Sequence, residues 1–435
     1  MMRWLILADD LTGAADCAIA FARRGLDATV GWHAGAAPQG VTPGWAAPTG
    51  GAVLAVDADS RRLPAAEAAA RHAALFRRLH PLGERPAQGL IKKIDSTLRG
   101  QPVAELAATL QASREASGPR LAIVAPAFPG TGRTTSGGRI HLDGRPLERT
   151  PLWARDHSYA GAHLPTVLHE AGLRNTALPL AMLRDEAALA GALRQALAEG
   201  LEAVVCDAET PADLDRLAHA SLPLAQDVFW VGSGGIAVAL AAAQPMAPGG
   251  CEPVRTPIPA SLAGGQGVLL VVGSVAEASR DAAARLAAEE AVTHFSVAPT
   301  LLRAGPAGRD WAPLSAKIAA ALARGRDTLV QIAPDAGADL RQGAALAESL
   351  ALLLAPAGAC MAGLFATGGE TACALLTRLG VHGIRLLEEV EPGVPLGITQ
   401  GAVRIPVMTK AGAFGHDRSL LNSLARMHDL LGNRT

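Results

Sequence analysis

A chain of 435 residues is too long for one typical hydrophobic core, and a composition of 49% hydrophobic against 18% charged residues excludes a disordered protein. Lys and Arg number 39 against 40 Asp and Glu, a formal net charge of −1, so no basic surplus marks a nucleic-acid or anionic membrane surface. Five scattered cysteines (Cys17, Cys206, Cys251, Cys360 and Cys373) form no Cys-x-x-Cys pair, which fits a reducing compartment. No apolar run reaches spanning length, and Trp4 to Ala8 is too short for a signal peptide, so a cytoplasmic protein is expected.

Arg3 to Ala8 reads as a buried strand and Ala14 to Arg24 as a helix stopped by Gly25, with Asp9-Asp10-Leu11-Thr12-Gly13 between them. Open α/β sheets bind ligands at the carboxyl ends of their strands. One aspartate suffices to cap a helix, so two adjacent carboxylates point beyond capping to a site. Ala52 to Val56 is a second strand, ending in Asp57, Asp59 and Ser60, and Pro64 to Leu79 is an amphipathic helix. Gly89 to Ile94 is a third strand, with Lys92 and Lys93 on opposite faces by alternation. It opens into Asp95-Ser96-Thr97-Leu98-Arg99-Gly100, and Pro102 begins a helix. So many polar groups at one strand end predict a pocket for a polar substrate. Leu121 to Ala125 is a fourth strand, after which Arg133, flanked by glycines and hydroxyls, could hold a carboxylate or phosphate by a forked contact. Arg139 to Leu147 reads as a hairpin turned at Asp143-Gly144.

Val228 to Val231 leads into Gly232-Ser233-Gly234-Gly235-Ile236-Ala237, formally a dinucleotide fingerprint. That motif needs a following helix, a second strand and an acidic residue, whereas this chain runs after Ala243 into a Pro/Gly-rich stretch ending near Gly267. The glycines are therefore assigned to the first domain's own pocket or to tight helix packing, and the stretch to an interdomain linker. Gly267 to Val272 with Gly273-Ser274 starts a second α/β unit, which Thr328 to Ala333 continues. Next, Gly363 to Thr367 is a short apolar strand, Gly368-Gly369 breaks it, and from Glu370 a helix runs to a glycine stop at Gly380. Strand, glycine pair and helix N-terminus make an anion site, because backbone N–H groups and the helix dipole face the ligand. Val403 to Met408 precedes Lys410-Ala411-Gly412, and a final helix runs to about Leu431. The glycine-marked ends at Gly273-Ser274, Gly368-Gly369 and Gly412 are expected at one edge of a parallel sheet.

Seven stretches, LADDLTGAAD, KKIDSTLRG, APAFPGTGRT with HLDGRPL, VGSGGIA, VVGS, ATGGET and TKAGAFG, occur in order over nearly the whole chain. In this ordered set the chain resembles the four-carbon acid sugar kinase family. The resemblance implies an α/β protein of two domains, each a mostly parallel sheet flanked by helices, with an active-site cleft between them. Residues 1–245 would bind the sugar acid, 246–266 form the linker, and 267–435 bind nucleotide. ATP binding carries over to Ser274, Gly368, Gly369, Glu370, Thr371 and Gly412, and sugar-acid binding to Asp9, Asp10, Lys93, Asp95, Ser96, Arg99 and Arg133. KKIDSTLRG looks more like the D-threonate or D-erythronate branch than the 3-oxo-tetronate branch.

The expected reaction moves the γ-phosphoryl of ATP to the terminal hydroxyl of the acid, with Mg2+ offsetting phosphate charge and its ligands left open. Asp10 is assigned the base and Asp9 the holding of substrate hydroxyls, since Lys93 and Arg99 would depress Asp95. A 3-oxo-tetronate kinase, or a two-domain sensor without chemistry, are the alternatives; a dehydrogenase would rest on Gly232 to Ala237 alone. No nucleic-acid or membrane partner is expected, and a homodimer is left open.

Overall fold

In Arg3–Ala8 (β1), Trp4 and Ile6 alternate with Leu5 and Leu7, and all four are buried, so the strand is covered on both faces. The computed structural model describes residues 3–32, 52–79, 88–116, 118, 120–153, 158–245, 267–273, 276–334, 343–412 and 415–432. They fall into two compact units, Met1–Cys251 and Glu252–Thr435. The expected linker, 246–266, lies outside the described residues.

In the first unit β1 is followed by α1 (Leu11–Ala22), β2 (Asp27–Trp32), β3 (Ala52–Asp57), α2 (Ala65–Leu79), β4 (Gln88–Lys93), α3 (Pro102–Glu115) and β5 (Leu121–Ala125). Then come β6 (Arg133–Ser136), β7 (Arg139–Leu142), β8 (Arg145–Pro146), α4 (Leu164–Glu170), β9 (Asn175–Leu178), α5 (Leu180–Leu183), α6 (Glu186–Ala198), β10 (Ala203–Cys206), α7 (Pro211–Ser221), β11 (Val228–Gly232) and α8 (Gly234–Ala242). The main strands lie in the order β2-β3-β1-β4-β11-β5-β10-β9, and every pairing is parallel. Strands β6 to β8 form a separate antiparallel sheet. Its Asp143-Gly144 turn has positive φ at both residues, as expected of a tight hairpin. Arg133 opens β6, and Gly137 and Gly138 make a second such turn after it.

Two faces of β1 lead to different helices. Trp4 stacks at 4.8 Å on Phe21 of α1 and at 5.4 Å on Trp230. Leu5 and Leu7 instead join Phe76 of α2 and Leu106 and Leu110 of α3 in one buried cluster. Gly89, paired with Trp4, must lack a side chain, since a Cβ there would lie 2.5 Å from the indole. The chain thus leaves adjacent β1 and β4 toward opposite faces, through α1 and α3. This is the switch point at which doubly wound sheets bind ligands.

The glycines of the rejected dinucleotide fingerprint serve packing. A Cβ on Gly232 would overlap the Ala125 carbonyl, and one on Gly235 the Ala127 carbonyl. Helix α1 begins three residues earlier than its apolar spacing suggests, because Asp10 caps it through the Gly13 amide.

The second unit comprises β12 (Gly267–Val272), α9 (Glu277–Glu289), β13 (Thr293–Val297), α10 (Pro299–Ala304), α11 (Trp311–Ala323), β14 (Thr328–Ile332), α12 (Gly343–Leu354) and β15 (Met361–Thr367). It ends with α13 (Gly369–Arg378), β16 (Val381–Glu391), β17 (Val394–Gly401), β18 (Pro406–Lys410) and α14 (Ser419–Leu431). Its order is β13-β14-β12-β15-β18-β17-β16, parallel from β13 through β18 and antiparallel beyond. The β13-β14-β12-β15 run repeats the β2-β3-β1-β4 arrangement, so β12 and β15 are the second unit's switch pair. Helices α9 and α14 share a core with β12 and β15, while α13 packs on α12. Strand β18 starts at Pro406, later than the expected Val403, because Thr399 Oγ1 bonds the Val403 carbonyl (2.7 Å) and the Ile405 amide (2.8 Å) and holds that stretch in a turn.

Candidate active site

The carboxyl ends of β1, β3 and β4 bring together Asp9, Asp10, Arg61, Lys93, Asp95 and Arg99. Arg61 is the hub, and sequence reading missed it. Its Nε and Nη2 donate to the two oxygens of Asp9 (2.7 and 3.0 Å), its Nη1 donates to Asp10 Oδ2 (2.7 Å), and Nη2 lies 3.7 Å from Asp95 Oδ2. Burial disfavours the Arg61 charge, but these three carboxylates outweigh it and hold its pKa well above the usual guanidinium value. The available signal was its position just past the acids that end β3, a strand that proves to lie beside β1.

Asp10 receives the Gly13 amide (2.9 Å) and Thr12 Oγ1 (2.7 Å) in addition to Arg61. Burial works to raise its pKa, yet Arg61, Lys93 and these two bonds hold it below the ordinary value. Its side chain is 18% exposed, against 3% for Asp9 and 9% for Asp95, so of the three it is the carboxylate an entering hydroxyl reaches most easily. Asp57, the last residue of β3, shows the opposite effect. Burial, then the charges of Asp10, Asp59 and Asp9, push its carboxyl well above the usual range.

Lys93 and Lys92 part as alternation requires. Lys93 Nζ donates to the Ile94 carbonyl (2.9 Å) near Gly13 at the start of α1, where a Cβ would come within 3.1 Å of it. Burial disfavours the Lys93 ammonium, and Cys17 with the carboxylates of Asp9, Asp10 and Asp16 more than offsets this, raising its pKa. Lys92 is fully buried on the other face, with Nζ 2.8 Å from Glu105 Oε2. Glu105 also accepts from Ser60 (2.7 Å), the residue next to Arg61, so this buried pair anchors the loop that carries the hub.

Asp95 accepts from the Thr97 amide (3.0 Å), the Thr97 hydroxyl and Arg99 Nη2 (2.5 Å). Burial pulls its pKa up, but Arg99 and Arg61 hold it well below the carboxylate range. Leu98, between them, sits at φ +59° with its side chain buried, a conformation costing a bulky residue about 1–2 kcal/mol. That twist presents Arg99, 39% exposed, at the edge of the cluster. Ser96 is half-buried on the same turn. Arg133 joins from β6, where burial lowers its pKa and the charges of Asp95 and Asp143 work the other way. The arrangement presents guanidinium donors for a carboxylate beside an acceptor carboxylate for a hydroxyl.

In the second unit, Gly368 has φ +89° and ψ 122°, a backbone only glycine adopts without strain, and it turns β15 into α13. Gly368 caps α13 without a side-chain hydrogen bond, Glu370 in its first turn is exposed, and Thr371 is buried. A Cβ on Gly273, at the end of β12, would overlap Thr371 Oγ1, so the two switch-point strands close on one spot. Gly412 follows β18, its carbonyl accepting from Ser279 Oγ (2.9 Å). Ser274 lies outside the described residues. A helix N-terminus with its dipole and a side-chain-free turn suit a phosphate. Among the described residues no three His, Cys, Asp or Glu converge as a metal cage. Mg2+ commonly relies on one or two carboxylates plus substrate phosphates rather than on such a cage.

Residues 4–240 match the model of a sugar-binding N-terminal domain, and residues 269–420 that of a nucleotide-binding C-terminal domain. The chain is 42% identical over 430 residues to a D-threonate kinase of Cupriavidus necator, covering 98% of each. It is 38% identical over 438 residues to a D-threonate kinase of Bordetella bronchiseptica, covering 96% of each. The fold alone is shared with a crystal structure of a Salmonella typhimurium LT2 protein, at a TM-score of 0.75 and 19% identity over 98% of this chain and 100% of that one. With both domain models matched and full-length similarity to curated kinases, the chain belongs to the four-carbon acid sugar kinase family and is a phosphotransferase.

Proposed function

We propose that the protein uses ATP with Mg2+ to phosphorylate the terminal hydroxyl of D-threonate, giving the 4-phosphate. The supporting observation is the cluster at the carboxyl ends of β1 and β4, where Arg99 reaches the edge and Asp10 is the most exposed of three carboxylates. Arg99, with Arg133, binds the substrate carboxylate; Asp9, Lys93 and Ser96 position its hydroxyls, and Asp95 orients Arg99. Asp10 takes the proton of the terminal hydroxyl. Its lowered pKa keeps Asp10 ionised at neutral pH, so it is ready to accept the hydroxyl's proton and to orient the oxygen for attack. The Gly368-Gly369-Glu370-Thr371 turn, with Gly412 and Ser274, holds the nucleotide phosphates, and bound Mg2+ offsets their charge.

D-threonate is chosen over D-erythronate because both kinases described above carry that name. The test is a coupled assay of ADP release over D-threonate, D-erythronate, L-threonate and 3-oxo-tetronate. D-threonate should exceed the others in kcat/KM by at least about tenfold, one clear discrimination step of 1.4 kcal/mol. Preference for 3-oxo-tetronate would move the protein to the other branch, and ADP release with none of the four would leave a binding protein.

A further inference from the structure

Lys410 ends β18 and is among the largest fully buried side chains, at 1% exposure. A buried ammonium is costly unless anions or several acceptors meet it. Nζ donates to Ser279 Oγ (3.2 Å) and to the Ala411 carbonyl (3.3 Å), both neutral acceptors. In register, Lys410 pairs with Thr367, the last residue of β15, so both side chains project from the same face of the sheet at its carboxyl edge. Thr367 is completely buried, and its Oγ1 has no hydrogen-bond partner among the described residues. Buried hydroxyls are seldom left so. The Gly368 amide bonds the Lys410 carbonyl at 2.8 Å, which ties the glycine turn to the residue that carries the amine. A buried cation and an orphaned donor therefore flank the same turn from one side.

We propose that Lys410 and Thr367 are phosphate ligands for the nucleotide, the amine supplying the positive charge that a Walker lysine supplies elsewhere and the hydroxyl a second donor. This deepens the nucleotide-site reading and rests on it. The charge of Glu391, at the end of β16, acts on the Lys410 amine, and Glu391 Oε2 lies 3.5 Å from His416 Nε2 and 3.4 Å from Asn422. Burial pulls its pKa down to about 8, the Glu391 charge working the other way, so a polyphosphate arriving at the turn would raise it again and take up a proton at alkaline pH.

Calorimetry and thermal melts on wild type, Lys410→Met, Lys410→Arg, Thr367→Val and Gly369→Val, with MgATP and adenosine as probes, test the proposal. Lys410→Met should bind MgATP at least tenfold more weakly and adenosine within twofold of wild type. Its unliganded melt should stay at or above that of wild type, because a buried charge has been removed. Lys410→Arg should recover part of the affinity, and Thr367→Val should lose severalfold. MgATP affinity within twofold of wild type in Lys410→Met, with Gly369→Val impaired, overturns the role of Lys410 and leaves the turn standing. A lower unliganded melt with unchanged MgATP affinity makes the lysine a structural tie and overturns the proposal too. If wild type itself binds no MgATP, the nucleotide reading fails first.

Discussion

Removing the Arg61 charge while keeping its bulk, as Arg61→Met, puts the hub to the test. Two oxygens of Asp9 and one of Asp10 lose donors at 2.7 to 3.0 Å, and Asp95 loses a cation 3.7 Å away. Exposed ion pairs contribute about 0.2–1 kcal/mol, and breaking a fully buried one costs about 3–5 kcal/mol. The Arg61 side chain is 20% exposed, nearer the buried limit, so a loss of about 3 kcal/mol at pH 7 is expected, or roughly 6–12 °C in a melt of the first unit.

The pH dependence is what identifies the mechanism. Arg61 helps hold Asp10 and Asp95 below their ordinary values, so their stabilisation is present above the unfolded carboxylate pKa of about 3.9 and is lost as pH falls through the folded values. Without Arg61 those folded values rise. The gap between wild type and variant should therefore be full at pH 7 and shrink below about pH 4. Denaturant melts at several pH values measure it. A gap under about 1 kcal/mol, or one that stays constant with pH, would refute the hub reading.

Asp10→Asn should lower kcat by about 10²–10⁴-fold with little change in KM for ATP, and the helix should persist because asparagine caps as well as aspartate. In wild type the acidic limb of the rate profile should fall below the ordinary carboxylate range, matching the lowered Asp10, and the variant should lose it; near-normal kcat in Asp10→Asn moves the role to Asp9 or Asp95. Arg99→Ala should raise KM for the sugar acid at least about tenfold, with only partial rescue by lysine, since a charge-assisted bond is worth about 1.5–3 kcal/mol. An unchanged KM in steady-state kinetics would count against Arg99 as the carboxylate ligand. Gly235→Ala should destabilise the first unit, because its Cβ would overlap the Ala127 carbonyl, with no NAD binding in either form; an undisturbed melt would contradict the packing role.

What could be read from the residues was local. The glycine turn at Gly368 was legible because an apolar strand, two glycines and a helical repeat follow one another without interruption, and the backbone there does need glycine. Alternation separated Lys92 from Lys93, but whether Lys92 met water or a partner could not be known, since Glu105 comes from a helix packed across the strand. Arg61 stayed hidden for the same reason: its aspartates are 51 and 52 residues away in sequence. The β16–β17 hairpin was missed because Glu388, Glu389 and Glu391 break the apolar pattern where the strands twist through bulges. Lys410 looked like a loop residue because the strand had been ended at Met408, whereas its pairing with Thr367 carries the strand two residues on.

The division of labour between the units is the central claim, and calorimetry with D-threonate and a non-hydrolysable MgATP analogue on three proteins tests it most directly. Wild type should bind both ligands. Arg99→Ala should lose at least about tenfold in D-threonate affinity and keep the nucleotide, while Gly369→Val should lose the nucleotide, a side chain now standing where phosphate approaches the backbone, and keep D-threonate. Loss of the same ligand in both folded variants, or of neither, would contradict the account.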